Sequence, residues 1–340
     1  MQPIYADTLG FIGGKMGPPE FTPEIFARLR ESGVRLVQWA GPHPAHQKWE
    51  NLIHEVRETE GRLESLPHQF RIVRNGRDLR VIEHTDIVYV VMGIQNPCLI
   101  EDRWDRLDEL KEAGVRVMQV AYWDERDAIY GCGYLTENDT GLTALGHEYL
   151  RELAKRGFIL DLSHTGERTA LEALEAYSGR VMISHTGSRQ AYNHPRNATN
   201  DIIRRVAERD GIIGIYTMTF FLDAENNGIE SWLRHVDYVA HTANWRWANT
   251  ITVGSDAPVT GFTNIEEAEA DFPRLTASLE RGRPINPRWA PRWPAFTPEF
   301  NGTDRFRVME RALAAWCGLE VASRICGTNA RNFYLYSIKP

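Results

Sequence analysis

The chain has 340 residues, 42% of them hydrophobic and 25% charged, with a formal net charge of −7. That length and apolar share can bury a large core and suit one barrel-sized domain with insertions better than two small ones. An acidic balance without a basic stripe argues against nucleic acid as the main partner, and no apolar run approaches the roughly 18 residues a membrane span needs.

Strand and helix patterns alternate along the chain. Pro3 to Ala6 reads as a strand ending at Asp7, and the Gly/Pro-rich stretch 13–19 reads as a loop. Pro23 to Ser32 has a helical pattern, and Val34 to Trp39 is the second strand. A long helix from about His46 to Ser65 precedes a possible strand at Phe70 to Val73 and a polar helix near Asn75 to Thr85. Ile87 to Met92 is an apolar strand running into Gly93-Ile94-Gln95-Asn96. A charged helix (Asp102 to Ala113) leads to strand Val115 to Ala121, then the Gly131-Cys132-Gly133 loop and helix Ala144 to Arg156. The next two strands end in Ser163-His164 and Ser184-His185, with helix Glu167 to Ser178 between them. Helix Ile202 to Asp210, strand Ile212 to Tyr216, helix Ile229 to Thr242 and strand Thr250 to Val253, ending Gly254-Ser255-Asp256, complete the alternation.

Nine strands are counted, and the shortest, Phe70 to Val73, is set outside the ring. Eight strands, most followed by a helix and carrying polar tips at one end, predict a (β/α)8 barrel rather than an open doubly wound sheet. No GxGxxG or GxxxxGK[ST] motif is present to cradle a nucleotide. The expected organisation is a single barrel domain over 1–340, with a Pro/Trp-rich insertion or lid near 283–300 and closing helices over 301–333. Trp245, Trp247, Trp289 and Trp293 read as packing for these closing segments. The four cysteines (Cys98, Cys132, Cys317, Cys326) lack CxxC spacing, and the N-terminus lacks a basic and apolar leader. Both point to a soluble cytoplasmic protein.

The most informative feature is the pair of Ser-His tips, His164 and His185, 21 residues apart on neighbouring strands. In a parallel α/β fold the C-terminal strand ends are where catalytic groups converge. Paired imidazoles there suggest a metal or acid–base site, set against hydrogen-bonded core histidines as the plain structural reading.

The ordered set Gly141-Leu142-Thr143, Gly146, Asp161-Leu162-Ser163-His164, Ser184-His185-Thr186, His194-Pro195-Arg196-Asn197, Asp201, Gly211-Ile212-Ile213-Gly214, His235-Val236-Asp237-Tyr238, Gly254-Ser255-Asp256 and Gly327-Thr328-Asn329-Ala330-Arg331 resembles the membrane dipeptidase (renal dipeptidase, peptidase M19) family. The resemblance implies an amidohydrolase-type barrel, two zinc ions, hydrolysis of small dipeptides and a tendency to pair into homodimers. It also implies departures. The family's first strand ends in a His-x-Asp metal pair, and this chain has no histidine there. Either Tyr5 and Asp7 take those places, or Asp7 precedes the pair and Leu9 and Phe11 replace it; the second is preferred because Asp7 then ends the strand. The metal-bridging glutamate falls at Gln95, whose amide offers no anion. A binuclear site is therefore not expected, and at most one zinc remains, held by His164 and His185.

By the same resemblance Asp256 contacts metal, attacking water or substrate amine, against a plain role as a helix cap. Arg196 grips a substrate carboxylate, for which a guanidinium fork is suited, against a loop ion pair. Tyr122 stands near the scissile carbonyl, against an aromatic plug of the barrel. Gln95 contacts substrate or simply ends its strand. The expected activity is a dipeptidase-like hydrolase acting on a small carboxylate-bearing amide or dipeptide. Alternatives are a metal-independent lyase or isomerase using His164, His185 and Asp256, or a non-catalytic binding relative.

Overall fold

The computed structural model describes residues 4–12, 21–42, 44, 48–123, 128–223, 225–226, 228–262, 264–280 and 290–339. Ten strands run in chain order: β1 (Tyr5–Phe11), β2 (Val34–Trp39), β3 (Phe70–Ile72), β4 (Val88–Ile94), β5 (Val115–Gln119), β6 (Ile159–Asp161), β7 (Val181–Thr186), β8 (Ile212–Ile215), β9 (Ile251–Val253) and β10 (Ala257–Pro258). All pairings are parallel, in the order β10-β1-β2-β4-β5-β6-β7-β8-β9. β9 and β10 belong to one stretch of chain. Its first half pairs with β8, and its second half pairs with β1 at Gly10↔Ala257 and Phe11↔Pro258, so the sheet closes on itself. Counted this way the ring has eight members, as the alternation predicts. β3 pairs only with the start of β4, at Phe70↔Val88 to Ile72↔Val90, and lies off the ring.

β1 corrects one expectation. It does not end at Asp7 but continues to Phe11, across a register shift between Asp7 and Gly10. The reason for preferring Leu9 and Phe11 as the replaced pair therefore fails. Asp7 itself is fully buried and tied to Ser255.

Strands buried on both faces read as near-continuous apolar runs, and β4, all seven of its residues buried, fits that rule. Outward residues such as Val88, Val90, Met92, Val115 and Met118 join the large core beneath the helices. Inward residues Ala6, Leu36, Tyr89, Val91, Val117, Ile159, Met182 and Ile212 form a second cluster with Ala330, Phe333 and Tyr334 of helix Asn329–Ser337. That helix plugs the N-terminal end of the barrel, and Gly327 before it lies so close to β1 that a Cβ would sit 1.8 Å from the Ile4 carbonyl oxygen.

Nearer the other end the interior narrows. Thr8 Oγ1 donates to the carbonyls of Ser184 (2.7 Å) and Val253 (2.9 Å), and a Cβ on Gly214 or Gly254 would lie 1.9 Å from the Ser184 carbonyl oxygen. Helix starts and stops follow local chemistry. Thr143 caps helix Ala144–Arg156 by accepting from Gly146 N, and Gly157 ends it at φ 70. Residues 290–300 dock on the exit of β8, where Thr219 N donates to Ala295 O and Thr297 N to Thr217 O. The expected insertion overlaps this docked stretch, while 283–289 and Trp289 lie outside the described residues. Trp293 packs on Phe272 and Trp247 on Trp316, as expected for the closing segments, but Trp245 is 74% exposed and meets the guanidinium of Arg246 at 4.2 Å instead. Among the described residues no helix is long and apolar enough to cross a membrane.

Candidate active site

Every polar tip singled out in the sequence leaves its strand at the same rim. Gln95 follows β4, Tyr122 follows β5, His164 follows β6, His185 lies in the last turn of β7, Arg196 is in the loop after β7, and Asp256 joins β9 to β10. Two of these residues hold backbone conformations unfavourable for side chains with a Cβ: His164 has φ 64 and Asp256 φ 54. Such positions cost about 1–3 kcal/mol and concentrate where function over-determines them.

The imidazoles meet edge to edge, with His164 Nε2 2.9 Å from His185 Nε2. Asp256 Oδ2 is 3.9 Å from His185 Nε2. Behind His185 lies a carboxylate that sequence reasoning passed over. Asp161, fully buried at the end of β6, accepts from Ser163 N (3.0 Å), Ser163 Oγ (2.8 Å), Ser184 N (2.9 Å), Ser184 Oγ (2.5 Å) and Gln119 Nε2 (3.1 Å). Ser184 Oγ is in turn 2.7 Å from His185 Nδ1. The repeated Ser-His tip was a signal of this network, although its convergence on Asp161 needs the fold.

Burial dominates the electrostatics. It holds both imidazoles well below the usual histidine range, with the Arg196 charge acting the same way. It pushes Asp256 up to about 7, against the pull of Arg196 and with a contribution from Asp7. Asp7 is pushed up to about 6, again chiefly by burial, although Ser255 N and Oγ donate to it. Asp7 is thereby committed to joining β1 and the β9–β10 connection.

Arg196 is 4% exposed. Its Nη2 donates to the His185 carbonyl at 3.0 Å, its Nε has no acceptor, and it makes no ion pair among the described residues. Tyr134, Tyr216 and Phe221 surround the guanidinium at 5.7, 5.6 and 6.0 Å. These rings were not singled out in the sequence; Tyr134 comes from the connection after β5, and Tyr216 and Phe221 both come from the exit of β8. Tyr122 packs against the His164 ring, tilted by 30° at 4.3 Å between centroids, and is buried, which raises its hydroxyl pKa. The fold thus brings His164, His185, Asp256, Arg196 and Tyr122 around one place. Gln95 is engaged elsewhere: its Nε2 donates to the Ala40 carbonyl at 2.8 Å, and its Oε1 is buried without a partner.

Residues 25–285 match the family described as membrane dipeptidase (peptidase family M19). The chain belongs to the membrane dipeptidase family. An uncharacterized dipeptidase of Schizosaccharomyces pombe is 29% identical over 161 residues, 46% of this chain and 39% of that protein. A second from the same organism is 22% identical over 260 residues, covering 71% of this chain and 61% of that one. The chain thus matches less than two thirds of the length of these curated relatives. Among solved structures, an amidohydrolase from Pseudomonas aeruginosa superposes with TM-score 0.77 at 21% identity, over 99% of this chain and 96% of that one. A metallopeptidase from Rhodobacter sphaeroides, solved with a phosphinate mimic of L-Ala-D-Ala, gives TM-score 0.75 at 16% identity over 99% and 100%. These neighbours share the barrel fold.

The two-zinc centre that membership in the membrane dipeptidase family implies does not fit the residues present. Leu9 and Phe11 carry no ligating atom, Asp7 is bound to Ser255, and Gln95 is neutral. Among the described residues no group of three or more His, Cys, Asp and Glu side chains is placed to hold a metal ion. The two imidazoles are also unequally equipped as ligands. A metal-bound histidine ordinarily donates its second ring N–H to a partner. His185 Nδ1 has Ser184 for that purpose, whereas His164 Nδ1 is buried with no partner.

Proposed function

We propose that the protein is a dipeptidase-like hydrolase of a small amide or dipeptide bearing a free carboxylate, with at most one zinc, at His164 and His185. The observation that carries this reading is Arg196: a buried guanidinium with an unused Nε–H, walled by aromatic rings, within the field of Asp256 but ion-paired with no carboxylate among the described residues. A buried charge of this kind calls for a counter-ion, and the fork geometry suits a substrate carboxylate.

In this reading Arg196 holds the carboxylate and so sets the neighbouring amide over the imidazole pair. Asp256, whose pKa near 7 leaves both protonation states accessible, takes the proton of the attacking water and returns it to the leaving amine. Tyr122, packed against His164, is assigned the hydroxyl that donates to the carbonyl oxygen as charge develops there. Gln95, held to the Ala40 carbonyl through Nε2, takes no step in this reading.

A second reading, acid–base chemistry of a lyase or isomerase type on the same carboxylate-bearing class, draws on the imidazoles satisfying each other by a direct hydrogen bond. The two are separated by assaying the purified chain against dipeptides and N-acyl amino acids while quantifying metal. Amide hydrolysis with no more than about one zinc per chain supports the proposal. Absence of hydrolysis across the panel, with and without added zinc, overturns it and moves weight to the second reading.

A further inference from the structure

The hydrogen bonds behind the imidazole pair run in one direction only. Asp161 is an acceptor on both oxygens, with five donors directed at it. The shortest of these, at 2.5 Å, uses the Ser184 hydroxyl proton. With its proton committed to the carboxylate, Ser184 Oγ can only accept at its 2.7 Å contact with His185 Nδ1. His185 therefore carries its proton on Nδ1. The ring is fully buried with no carboxylate within hydrogen-bond reach among the described residues, and a neutral ring protonated at Nδ1 leaves Nε2 with a bare lone pair.

The 2.9 Å approach of the two Nε2 atoms then needs a proton from the other side, which only His164 Nε2 can supply. Neutral His164 is left with an unprotonated Nδ1. That atom is the one found buried without a donor, a cheaper defect than a buried N–H lacking an acceptor.

We infer that Asp161 and Ser184 are positioning residues that lock His185 in the Nδ1–H form with or without a cation, so that in the metal-free protein the two chemically similar histidines are made unequal, His185 presenting a lone pair and His164 a proton. The asymmetry comes from one hydroxyl. Ser163 also donates to Asp161 and is equally buried, and its Oγ lies 3.0 Å from Ser184 Oγ, but it meets His185 only through the backbone, accepting from His185 N at 3.1 Å, so its removal leaves the Ser184 bonds to Asp161 and His185 in place. Ser163 is therefore a matched reference for the loss of a buried hydroxyl at this carboxylate.

This inference rests on the placement of the imidazole pair at the reacting centre, but its test needs no turnover. The full chain, labelled with 15N-histidine, is measured by long-range 1H–15N NMR as purified and after chelator treatment, with His164→Gln and His185→Gln used for assignment. In both states His185 is expected to show a protonated Nδ1 and an unprotonated Nε2, because a cation would occupy only Nε2. Ser184→Ala is expected to mix the two tautomers or invert them, and Ser163→Ala to leave the His185 nitrogen shifts in place. Asp161→Asn should move them in the direction of Ser184→Ala; if it does not fold, the serine pair still decides. A wild-type His185 protonated at Nε2 overturns the inference. So does equal displacement of the shifts by the two serine variants, or no displacement by Ser184→Ala. Loss of hydrolysis with intact tautomers would instead count against the proposed function alone.

Discussion

Replacing Arg196 by alanine isolates the group on which the substrate reading turns. The guanidinium is 4% exposed and already spends Nη2 on the His185 carbonyl, leaving one edge, including Nε, for a ligand. One or two charge-assisted bonds at about 1.5–3 kcal/mol each, made in a poorly hydrated pocket, set the expected loss at about 2–4 kcal/mol. At about 1.4 kcal/mol per tenfold, kcat/KM for the best dipeptide should fall roughly 30- to 700-fold. Lysine at the same position keeps the charge but not the fork and should recover only part of the loss. The decisive assay compares the dipeptide with its C-terminal carboxamide in wild type and Arg196→Ala. The wild type should prefer the acid, and the variant should lose most of that preference. If acid and carboxamide fall by the same factor, Arg196 supports the site without gripping a carboxylate, and the reasoning fails.

Asp7 should make stability depend on pH. Burial pushes its carboxyl up to about 6 in the fold, against 3.8 for a free aspartate side chain, so the native state binds more protons between those values and stability declines as pH rises through them. At 1.36 kcal/mol per pH unit the decline approaches about 3 kcal/mol; urea midpoints of Asp7→Asn should be flatter over pH 4–6, and parallel curves would refute the assignment. Elemental analysis of purified protein should find no more than about one zinc per chain, and about two would contradict the reading of Leu9, Phe11 and Gln95. Removing either imidazole, as His164→Ala or His185→Ala, should abolish turnover of the best substrate, whereas unchanged rates in both would take the pair out of the chemistry. Gly254→Ala drives a Cβ to 1.9 Å from a backbone oxygen that cannot step aside, so a loss of at least about 1–3 kcal/mol is expected in thermal or urea denaturation. A wild-type melting temperature in that variant would show the barrel is roomier than drawn.

Much of the barrel was legible because its signals are local. Apolar runs of strand length, helical spacing between them and polar residues at one end of each run do not need tertiary information to be seen. His164, His185 and Asp256 were found this way, and Arg196 through the His-Pro-Arg-Asn motif. Less visible was anything decided by what lies opposite. Tyr134 reaches Arg196 from the exit of β5, and Tyr216 and Phe221 reach it from the exit of β8, and nothing in the local sequence marks either segment as its neighbour. Asp161 looked like an ordinary strand-end residue until Ser184 was brought beside it. β1 was read too short because Thr8 and Gly10 interrupt its apolar run, yet Thr8 is held inside by two carbonyls, a gain that strand propensity does not register.

The strand that completes the ring changes partner midway, from β8 to β1, and Asp256 is the residue at that seam. Its own amide bonds to the Leu9 carbonyl while its φ of 54 turns the chain. Sealing the cylinder and aiming the carboxylate are therefore one conformational event. An opening of the joint between the first and last strands would disarm the protein before it unfolded it, so backbone amides at 255–259 should exchange in step with the loss of activity under mild denaturant.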